Sequence, residues 1–359
     1  MRFNGRCRRA ASTELALDLG VFVPWVPSKN NPADAPSSVF GIRGAREDSI
    51  LPAQEIQIPR PIGVTCNRPA VLLHICSGLR RLSDFHEHAV VYGRDCGIEI
   101  LVISFDPVVD ATKNLLDDDQ FDEMKKIADD PDTYGSLAGP PCSTFSRGRH
   151  RYVPGGPRPL RIRSNPLEPK AGLTDWEKLQ CDIGTALLLR ALILLSIVGC
   201  RGGWCCLEHP EDPGREPFPS IWVSWAVEIF KAMTLASLHL FDQCRFGAPS
   251  VKPTCLCSND DLSGLALRCD HGKGAHVGLQ GRTADGGWRT TAAAAYPSAL
   301  NIFLAQRAVD AIVRARKLGH MPFARHAFCE EKYRHRVLAQ CSRFVHGRKV
   351  LGGGVRFQA

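Results

Sequence analysis

Short apolar runs that suit buried β-strands alternate with longer helix-forming stretches from residue 70 to about residue 241. The predicted strands cover residues 70–75, 99–105, 134–138, 203–207 and 236–241, and the predicted helices cover residues 80–92, 121–128, 176–198 and 221–233. Strands that alternate with helices in this way are typical of βα units wound onto one parallel sheet. The alternation therefore predicts an α/β fold built on a doubly wound parallel sheet.

Composition divides the chain into three parts. Residues 1–69 are rich in Pro, Asn, Ser and Arg and show no sustained period of 3.6 or 2, so we expect them to be mostly irregular. Residues 70–314 would form one domain with a short insert at residues 248–290. Residues 315–359 would form a basic C-terminal tail that is partly disordered.

One run in the N-terminal part has a distinctive order. Residues 25–37 read Trp-Val-Pro-Ser-Lys-Asn-Asn-Pro-Ala-Asp-Ala-Pro-Ser. This run resembles the end of the ribonuclease H domain in retrotransposon polyproteins, and the alternative interpretation is a turn segment rich in Pro and Asn. The resemblance implies that residues 1–69 contain a ribonuclease H tail remnant, in which Asp34 is left over from a metal-binding carboxylate.

Charge and cysteine content indicate which partner and which cellular location to expect. The chain has 359 residues, a formal net charge of +8 and a pI near 8.8, which favours a polyanionic partner such as DNA, although solvated basic tails would give the same balance. The 15 cysteines are spread along the chain without a credible signal peptide, which predicts reduced thiols in a nuclear or cytoplasmic location. The longest apolar run, residues 183–199, is interrupted by Arg190 and is predicted to be a buried helix, so no membrane contact is expected. The sequence predicts no oligomeric state.

Two features at strand ends suit a nucleotide-like cofactor. Cys76, Ser77 and Gly78 follow the first predicted strand, and Asp106 follows the second. In doubly wound sheets a glycine loop lets a cofactor approach the backbone, and an acid after the second strand accepts ribose hydroxyls. An ordinary turn glycine and a strand-capping aspartate are the alternative. Asp117 would either end a third strand and contact adenine or simply begin a helix.

The segment of residues 139–146, Gly-Pro-Pro-Cys-Ser-Thr-Phe-Ser, is the strongest local signal. Two prolines before Cys142 restrict the backbone and hold the thiol in one direction, which suits an attacking atom; the alternative is a core cysteine beside a chance turn. The segment resembles the Pro-Cys loop of cytosine-5 DNA methyltransferases. The resemblance implies the Rossmann-like doubly wound sheet of S-adenosylmethionine-dependent methyltransferases, and DNA as substrate. Cys142 would be the nucleophile that attacks carbon 6 of a flipped cytosine.

Three later segments follow in the order of that family. Glu208, in Leu-Glu-His-Pro, stands where the family has its acid for ring nitrogen 3, with His209 in place of the usual asparagine. Arg245, in Gln-Cys-Arg-Phe-Gly, would bond the cytosine carbonyl, and residues 295–298 would open a closing helix that completes the cofactor pocket. A glutamate in a solvated loop and a surface arginine are the alternatives. The resemblance further implies that S-adenosyl-L-methionine is held by Ser77, Gly78, Asp106, Asp117 and Pro140, and the cytosine by Gln243 and Ser146.

The chain also departs from the family. Residues 74–78, His-Ile-Cys-Ser-Gly, lack the family's F-x-G-x-G pattern, which leaves open an inactive nucleic-acid-binding remnant of a retrotransposon polyprotein. The short insert leaves open an RNA or small-molecule cytosine methyltransferase. That insert holds five residues of zinc-ligand type at a spacing that matches no standard knuckle, so unrelated thiols and histidines are the alternative to a zinc site. They are Cys255, Cys257, Cys269, His271 and His276.

Overall fold

The computed structural model describes residues 68–152, 156–279, 281–284, 287 and 289–318. The run that resembles a ribonuclease H tail, residues 25–37, lies outside the described residues. So does the basic tail beyond residue 318, whereas residues 315–318, predicted as the start of that tail, belong to the last helix.

A six-stranded mixed sheet forms the centre of the described structure. Its strands are β1 (Ala70–Ile75), β2 (Ile100–Phe105), β3 (Thr133–Ala138), β4 (Trp204–Pro210), β5 (Ser237–Asp242) and β6 (Pro253–Ser258), and they lie side by side in the order β2-β1-β3-β4-β6-β5. Strands β1 to β4 are mutually parallel, whereas β6 runs antiparallel to both of its neighbours. The predicted α/β class is confirmed, and the prediction of an all-parallel sheet is wrong at β6.

Strand β6 lies inside the stretch that was predicted to be an insert. Its sequence, Pro-Thr-Cys-Leu-Cys-Ser, begins with proline and is short, so no local pattern separates it from a loop. It is a strand because β4 and β5 supply backbone hydrogen-bonding partners on both of its sides. The insert at residues 248–290 therefore begins with part of the sheet.

Five helices of ten or more residues accompany the sheet, together with a single helical turn at Arg289–Ala292. They are α1 (Phe85–Asp95), α2 (Asp118–Ala128), α3 (Asp175–Cys200), α4 (Trp225–Thr234) and α5 (Ser298–Leu318). Helix α1 begins later than predicted because Asp84 accepts a hydrogen bond from the backbone of Glu87, which ends the extended segment before it. Helix α3 begins with a capping box in which Thr174 and Glu177 bond each other's backbone.

Helices cover both faces of the sheet. Helix α3 packs against β3 and β4 with α2 and α4 at its sides, and α5 packs against α1 on the opposite face. The contact between α1 and α5 includes a hydrogen bond from the Tyr92 hydroxyl to Asp310, with an O···O distance of 3.1 Å. The result is a three-layer arrangement in which the carboxyl ends of four parallel strands open at one edge.

Helix α3 is the core helix of one face. Its 26 residues are long and apolar enough to cross a membrane, yet 83% of its most apolar 18-residue window is buried inside the protein. The buried Arg190 donates to the carbonyl of Leu115, at an N···O distance of 2.6 Å, and pairs with Asp118. The predicted buried helix is confirmed, and its buried arginine fastens the start of α2.

The predicted third strand before Asp117 is wrong, because the described structure has a turn there. Asp117 is the N-cap of α2, and its carboxylate accepts a hydrogen bond from the backbone N–H of Gln120 at 2.9 Å. A carboxylate at this place offsets the unpaired N–H groups of the first helical turn. Of the two interpretations of Asp117, the helix start is the one observed.

Candidate active site

Three strand ends meet at the carboxyl edge of the sheet. The register pairs Ile75 with Ala138 and Ala138 with Leu207, so the residues that follow, Cys76, Gly139 and Glu208, come next to one another. A Cβ atom on Gly139 would lie 2.8 Å from the Tyr296 hydroxyl and 3.7 Å from a Glu208 carboxylate oxygen. A side chain at this position would displace the tyrosine hydroxyl, so glycine lets the acid and the tyrosine lie against the start of the Pro-Cys loop.

The glycine loop and the acid after β2 are joined directly. The backbone N–H of Gly78 donates to one carboxylate oxygen of Asp106 at 2.9 Å, and the N–H of Val108 donates to the other at 2.9 Å. Gly78 has a φ of +68°, and the space where its Cβ would stand is open. Asp106 therefore holds the loop in a left-handed turn that faces free space at the carboxyl edge.

The Pro-Cys loop leaves β3 and is fixed at both sides of Cys142. Pro140 is buried before it, and Phe145 is buried after it and donates its backbone N–H to the carbonyl of Cys142 at 3.0 Å. Cys142 itself is partly exposed. The loop thus holds a partly exposed cysteine on an otherwise anchored backbone, consistent with the restriction expected from the two prolines.

A fully buried arginine anchors this loop to helix α3. The guanidinium of Arg161 lies 4.1 Å from the centre of the Phe145 ring and donates to the Thr144 hydroxyl at 3.1 Å. Its other donors reach the carbonyls of Pro166, Leu167 and Cys181 and the hydroxyl of Thr185. Burial lowers the pKa of Arg161 to about 10, so the side chain stays charged at neutral pH. No short motif marks this residue, because its partners are scattered in sequence.

Glu208 is buried at the end of β4 and has one unused oxygen. Its Oε2 accepts a hydrogen bond from the Tyr296 hydroxyl at 3.2 Å, whereas Oε1 is buried without a partner among the described residues. Burial, followed by the charge of Glu208, raises the pKa of Tyr296 well above its ordinary value, so the phenol remains a donor. A buried carboxylate oxygen without a partner is costly, and it suits a site that awaits a donor from a ligand.

Lys252 joins the site because β6 is antiparallel. The start of β6 lies at the carboxyl edge of β4, where Pro210 pairs with Thr254, so the residue just before β6 lies at this edge, where its charge acts on Cys142. The Lys252 ammonium lies 5.8 Å from the centre of the Tyr296 ring. Sequence reasoning missed Lys252, which depends on a strand that the sequence did not reveal. It gave Tyr296 only a place in the closing segment, because the partner of Tyr296, Glu208, is 88 positions away in the chain.

Comparison of the chain with protein-family models, with curated proteins and with solved structures finds no match. Function is therefore inferred from the chemistry at this edge.

Opposite charges act on the Cys142 thiol. Burial raises the pKa of Cys142, the charge of Glu208 raises it further, and the charge of Lys252 lowers it. The charge of Glu208 therefore disfavours a thiolate at Cys142, whereas the charge of Lys252 favours it. Since only the thiolate is nucleophilic, these two charges influence how readily Cys142 reacts.

Alkylation of Cys142 tests this coupling without any substrate. At neutral pH we expect Glu208→Gln to speed the reaction of Cys142 with iodoacetamide by about 3- to 10-fold, and Lys252→Met to slow it by a similar factor, because only the thiolate reacts. In every form the rate should rise with pH, since the pKa of Cys142 is raised. Quantification of the alkylated peptide by mass spectrometry measures the rate, with the exposed Cys96 as an internal reference. Equal rates in all forms would show that neither charge reaches the thiol.

His209, which replaces the family's usual asparagine, is part of the core. Its ring packs edge-on against Phe145 at 5.4 Å and Trp222 at 6.3 Å between ring centres. Burial lowers the pKa of His209 to about 3, so the ring is neutral. The histidine at this position therefore packs behind the Pro-Cys loop as a neutral ring. Glu208, the residue before it, still lies near the end of β4.

Three other predicted site residues do not reach Cys142 or Glu208 through a hydrogen bond or ion pair within the described residues. Arg245 is paired with Asp270 on the loop after β6. Gln243 is buried and donates its side-chain amide to the Thr254 hydroxyl at 3.1 Å. Ser146 caps the 3₁₀ turn Arg147–His150, where its hydroxyl accepts from the Gly148 N–H at 3.1 Å.

The zinc hypothesis for the insert needs a correction. Cys255 and Cys257 are fully buried in β6, so they are structural residues of the sheet. The remaining three candidates lie on the loop that follows, and their ligand atoms are close to that of Cys244, which precedes β6 and which the hypothesis did not include.

Proposed function

We propose that this protein is an S-adenosylmethionine-dependent methyltransferase that acts on carbon 5 of cytosine in DNA, with Cys142 as nucleophile and Glu208 as acid. The observation that carries the proposal is the buried Glu208 carboxylate. One of its oxygens is held by Tyr296 and the other has no partner among the described residues, and its charge acts on the thiol of Cys142. An acid and a thiol coupled in this way suit addition to a ring that must be protonated as it is attacked.

The carboxyl edge also fits the cofactor. The chain winds from β1 to β2 on one side and from β3 to β4 on the other, so β1 and β3 flank a switch point, where doubly wound sheets bind their ligands. Gly78 faces open space beside this point, and Asp106 still has lone pairs for hydroxyl donors. When bound, S-adenosylmethionine supplies an electrophilic methyl group. The antiparallel β6 distinguishes this sheet from the all-parallel dinucleotide-binding order.

The proposed reaction begins with a proton transfer. The proton of the Cys142 thiol passes to Glu208, directly or through water, and the Lys252 ammonium stabilises the thiolate that remains. The sulfur then forms a bond to carbon 6 of cytosine while protonated Glu208 donates through Oε1 to ring nitrogen 3. Electron density displaced from the double bond makes carbon 5 nucleophilic enough to take the methyl group. Loss of the carbon 5 proton to water then expels the thiolate, and the proton on ring nitrogen 3 returns to Glu208.

Tyr296 and Gly139 would keep Glu208 pointed at the base. The Tyr296 hydroxyl occupies Oε2, which leaves Oε1 as the oxygen that faces a ligand. Gly139 permits this contact because any larger residue would collide with the tyrosine hydroxyl at 2.8 Å. Both are positioning residues, since neither needs to touch the reacting atoms.

The segment after Cys142 supports a nucleic-acid substrate. Arg147 and Arg151 are exposed, and Tyr152 next to them is 91% exposed. Arginines neutralise phosphates, and an exposed aromatic ring can stack on an unpaired base. The same segment is fixed to the fold by Arg149, which donates to the carbonyl of Ser143 at 2.7 Å.

Two linked measurements test the proposal. We expect calorimetric titration of the full chain to show binding of S-adenosylmethionine at a single site, with binding weakened about tenfold or more in Asp106→Ala, because that change releases the Gly78 loop. We also expect transfer of a labelled methyl group to duplex DNA that contains cytosine, and none to the same duplex in which every cytosine is already 5-methylated. Transfer to RNA alone would reassign the substrate. Nucleic-acid binding with neither cofactor binding nor transfer would establish an inactive remnant.

A further inference from the structure

Two cysteines and two histidines converge beside the 3₁₀ turn Gln243–Phe246. One ligand atom from each of Cys244, Cys269, His271 and His276 lies within 4.8 Å of the corresponding atoms of the other three. Cys244 belongs to the turn, and the other three lie on the loop after β6. Cys244 is thus the second cysteine of the cluster, in place of Cys255 and Cys257, which the sequence had suggested as ligands.

The distances within this cluster resemble those of a tetrahedral zinc site. Zinc bonds of about 2.3 Å to sulfur and 2.0–2.1 Å to nitrogen imply S···N separations of about 3.6 Å across a tetrahedral edge. The Sγ atom of Cys269 lies 3.5 Å from Nδ1 of His271 and 3.1 Å from Nε2 of His276. The two imidazole rings are nearly perpendicular, at 89°, with centres 5.0 Å apart, so both nitrogens can face one central point.

The loop that carries these ligands is held to the rest of the structure by polar contacts, which include the ion pairs of Arg268 with Glu211 and of Asp270 with Arg245. None of residues 268–279 is buried. Two backbone contacts fix its ends, from the Cys269 N–H to the Asp242 carboxylate at 2.8 Å and from the Val277 N–H to the Pro249 carbonyl at 2.9 Å. A segment without buried apolar side chains gains little from hydrophobic packing, and a metal cross-link supplies the missing stabilisation.

We infer that Cys244, Cys269, His271 and His276 bind one zinc ion in a closed, structural Cys₂His₂ site. Four protein ligands complete the tetrahedron and leave no position for a substrate. The ion fastens the exposed loop to the turn that carries Arg245, whose partner Asp270 lies between two of the ligands. The loop held by the ion also contacts Pro249 through the Val277 N–H. Pro249 and Tyr296 both line a cavity of about 100 Å³. The site does not depend on the proposed methyltransferase activity.

Metal analysis of the full chain tests the site. The protein is purified without a polyhistidine tag from zinc-supplemented medium, and mass spectrometry of the elements should find about one zinc per chain. Cys269→Ser and His276→Ala should each lower the zinc content at least tenfold, whereas Cys96→Ser, which changes an exposed thiol elsewhere, should leave it unchanged. Zinc that is retained in both ligand variants would place the metal elsewhere and overturn the inference.

Cobalt exchange keeps the test independent of how the variants fold. The wild-type chain with Co²⁺ in place of zinc should show thiolate-to-metal charge-transfer bands and the intense visible bands of a tetrahedral ion, and X-ray absorption should count two sulfur and two nitrogen ligands. A wild-type chain that takes up neither metal overturns the inference. So does an octahedral spectrum, or a disulfide between Cys244 and Cys269 in freshly prepared protein.

Discussion

Cys142→Ser is expected to abolish methyl transfer, with a loss of roughly 10⁴-fold or more, the scale seen when a covalent nucleophile is removed. A serine hydroxyl is far less acidic than a thiol, and its alkoxide would be disfavoured further by the burial and the Glu208 charge that already raise the pKa of Cys142. The fold should survive, because serine is close to cysteine in size and the loop is anchored by Pro140, Phe145 and Arg161. Transfer of a labelled methyl group to duplex DNA measures the loss.

Duplex DNA that contains 5-fluorocytosine tests the same prediction through a covalent adduct. In the presence of S-adenosylmethionine the wild-type chain should form a covalent adduct, because fluorine blocks the proton loss that releases the enzyme. The peptide that contains Cys142 should carry the added mass. Cys96→Ser is the matched control and should still form the adduct. If the cofactor binds and no adduct forms, Cys142 is not a working nucleophile, and the inactive remnant is the better description.

Glu208→Gln is expected to lower methyl transfer by roughly 10²–10⁴-fold, the range for loss of a positioned acid. The amide has nearly the same shape and can still accept from Tyr296, but it cannot give a proton to ring nitrogen 3. The matched control is Glu211→Gln, because Glu211 is paired with Arg268, away from Cys142. Single-turnover transfer rates would measure the effect.

The same variant should have opposite effects on two reactions of one thiol. Glu208→Gln removes the charge that raises the pKa of Cys142, so alkylation should become faster while methyl transfer becomes slower. A merely structural defect would not produce that divergence. The double variant with Cys142→Ser should be no worse than Cys142→Ser alone, because the two residues act as one unit. Additive losses, or a Glu208→Gln variant that transfers methyl groups at the wild-type rate, would contradict the assignment.

Local patterns were sufficient for the strands and helices that carry the site. The apolar runs before Cys76, Asp106 and Gly139 each became a strand, since a run with β-forming residues and a turn signal at its end has few alternatives. Because the first four strands are parallel, the residues that follow them had to share one edge. That Cys142 and Glu208 follow strands at the same edge could therefore be predicted from sequence, whereas their proposed roles came from the resemblance to a known family.

Contacts between distant segments decided the rest. The antiparallel β6 has no local signature, and it alone brings Lys252 to the carboxyl edge. The buried Arg161 draws its partners from three separate segments, which no motif records. The ligand cluster joins Cys244 to residues beyond β6 for the same reason.

The sequence by itself determined the α/β class and the carboxyl ends of the first three strands, because these depend on hydrophobic periodicity and on residues adjacent in the chain. The roles proposed for Cys142 and Glu208 came instead from the resemblance of their segments to a known family. Only the tertiary structure decided the direction of β6, the partners of Glu208 and Arg245 and the composition of the proposed zinc site. Those features depend on hydrogen bonds and ion pairs between groups that are far apart in the sequence. Such pairs form only once the chain has folded.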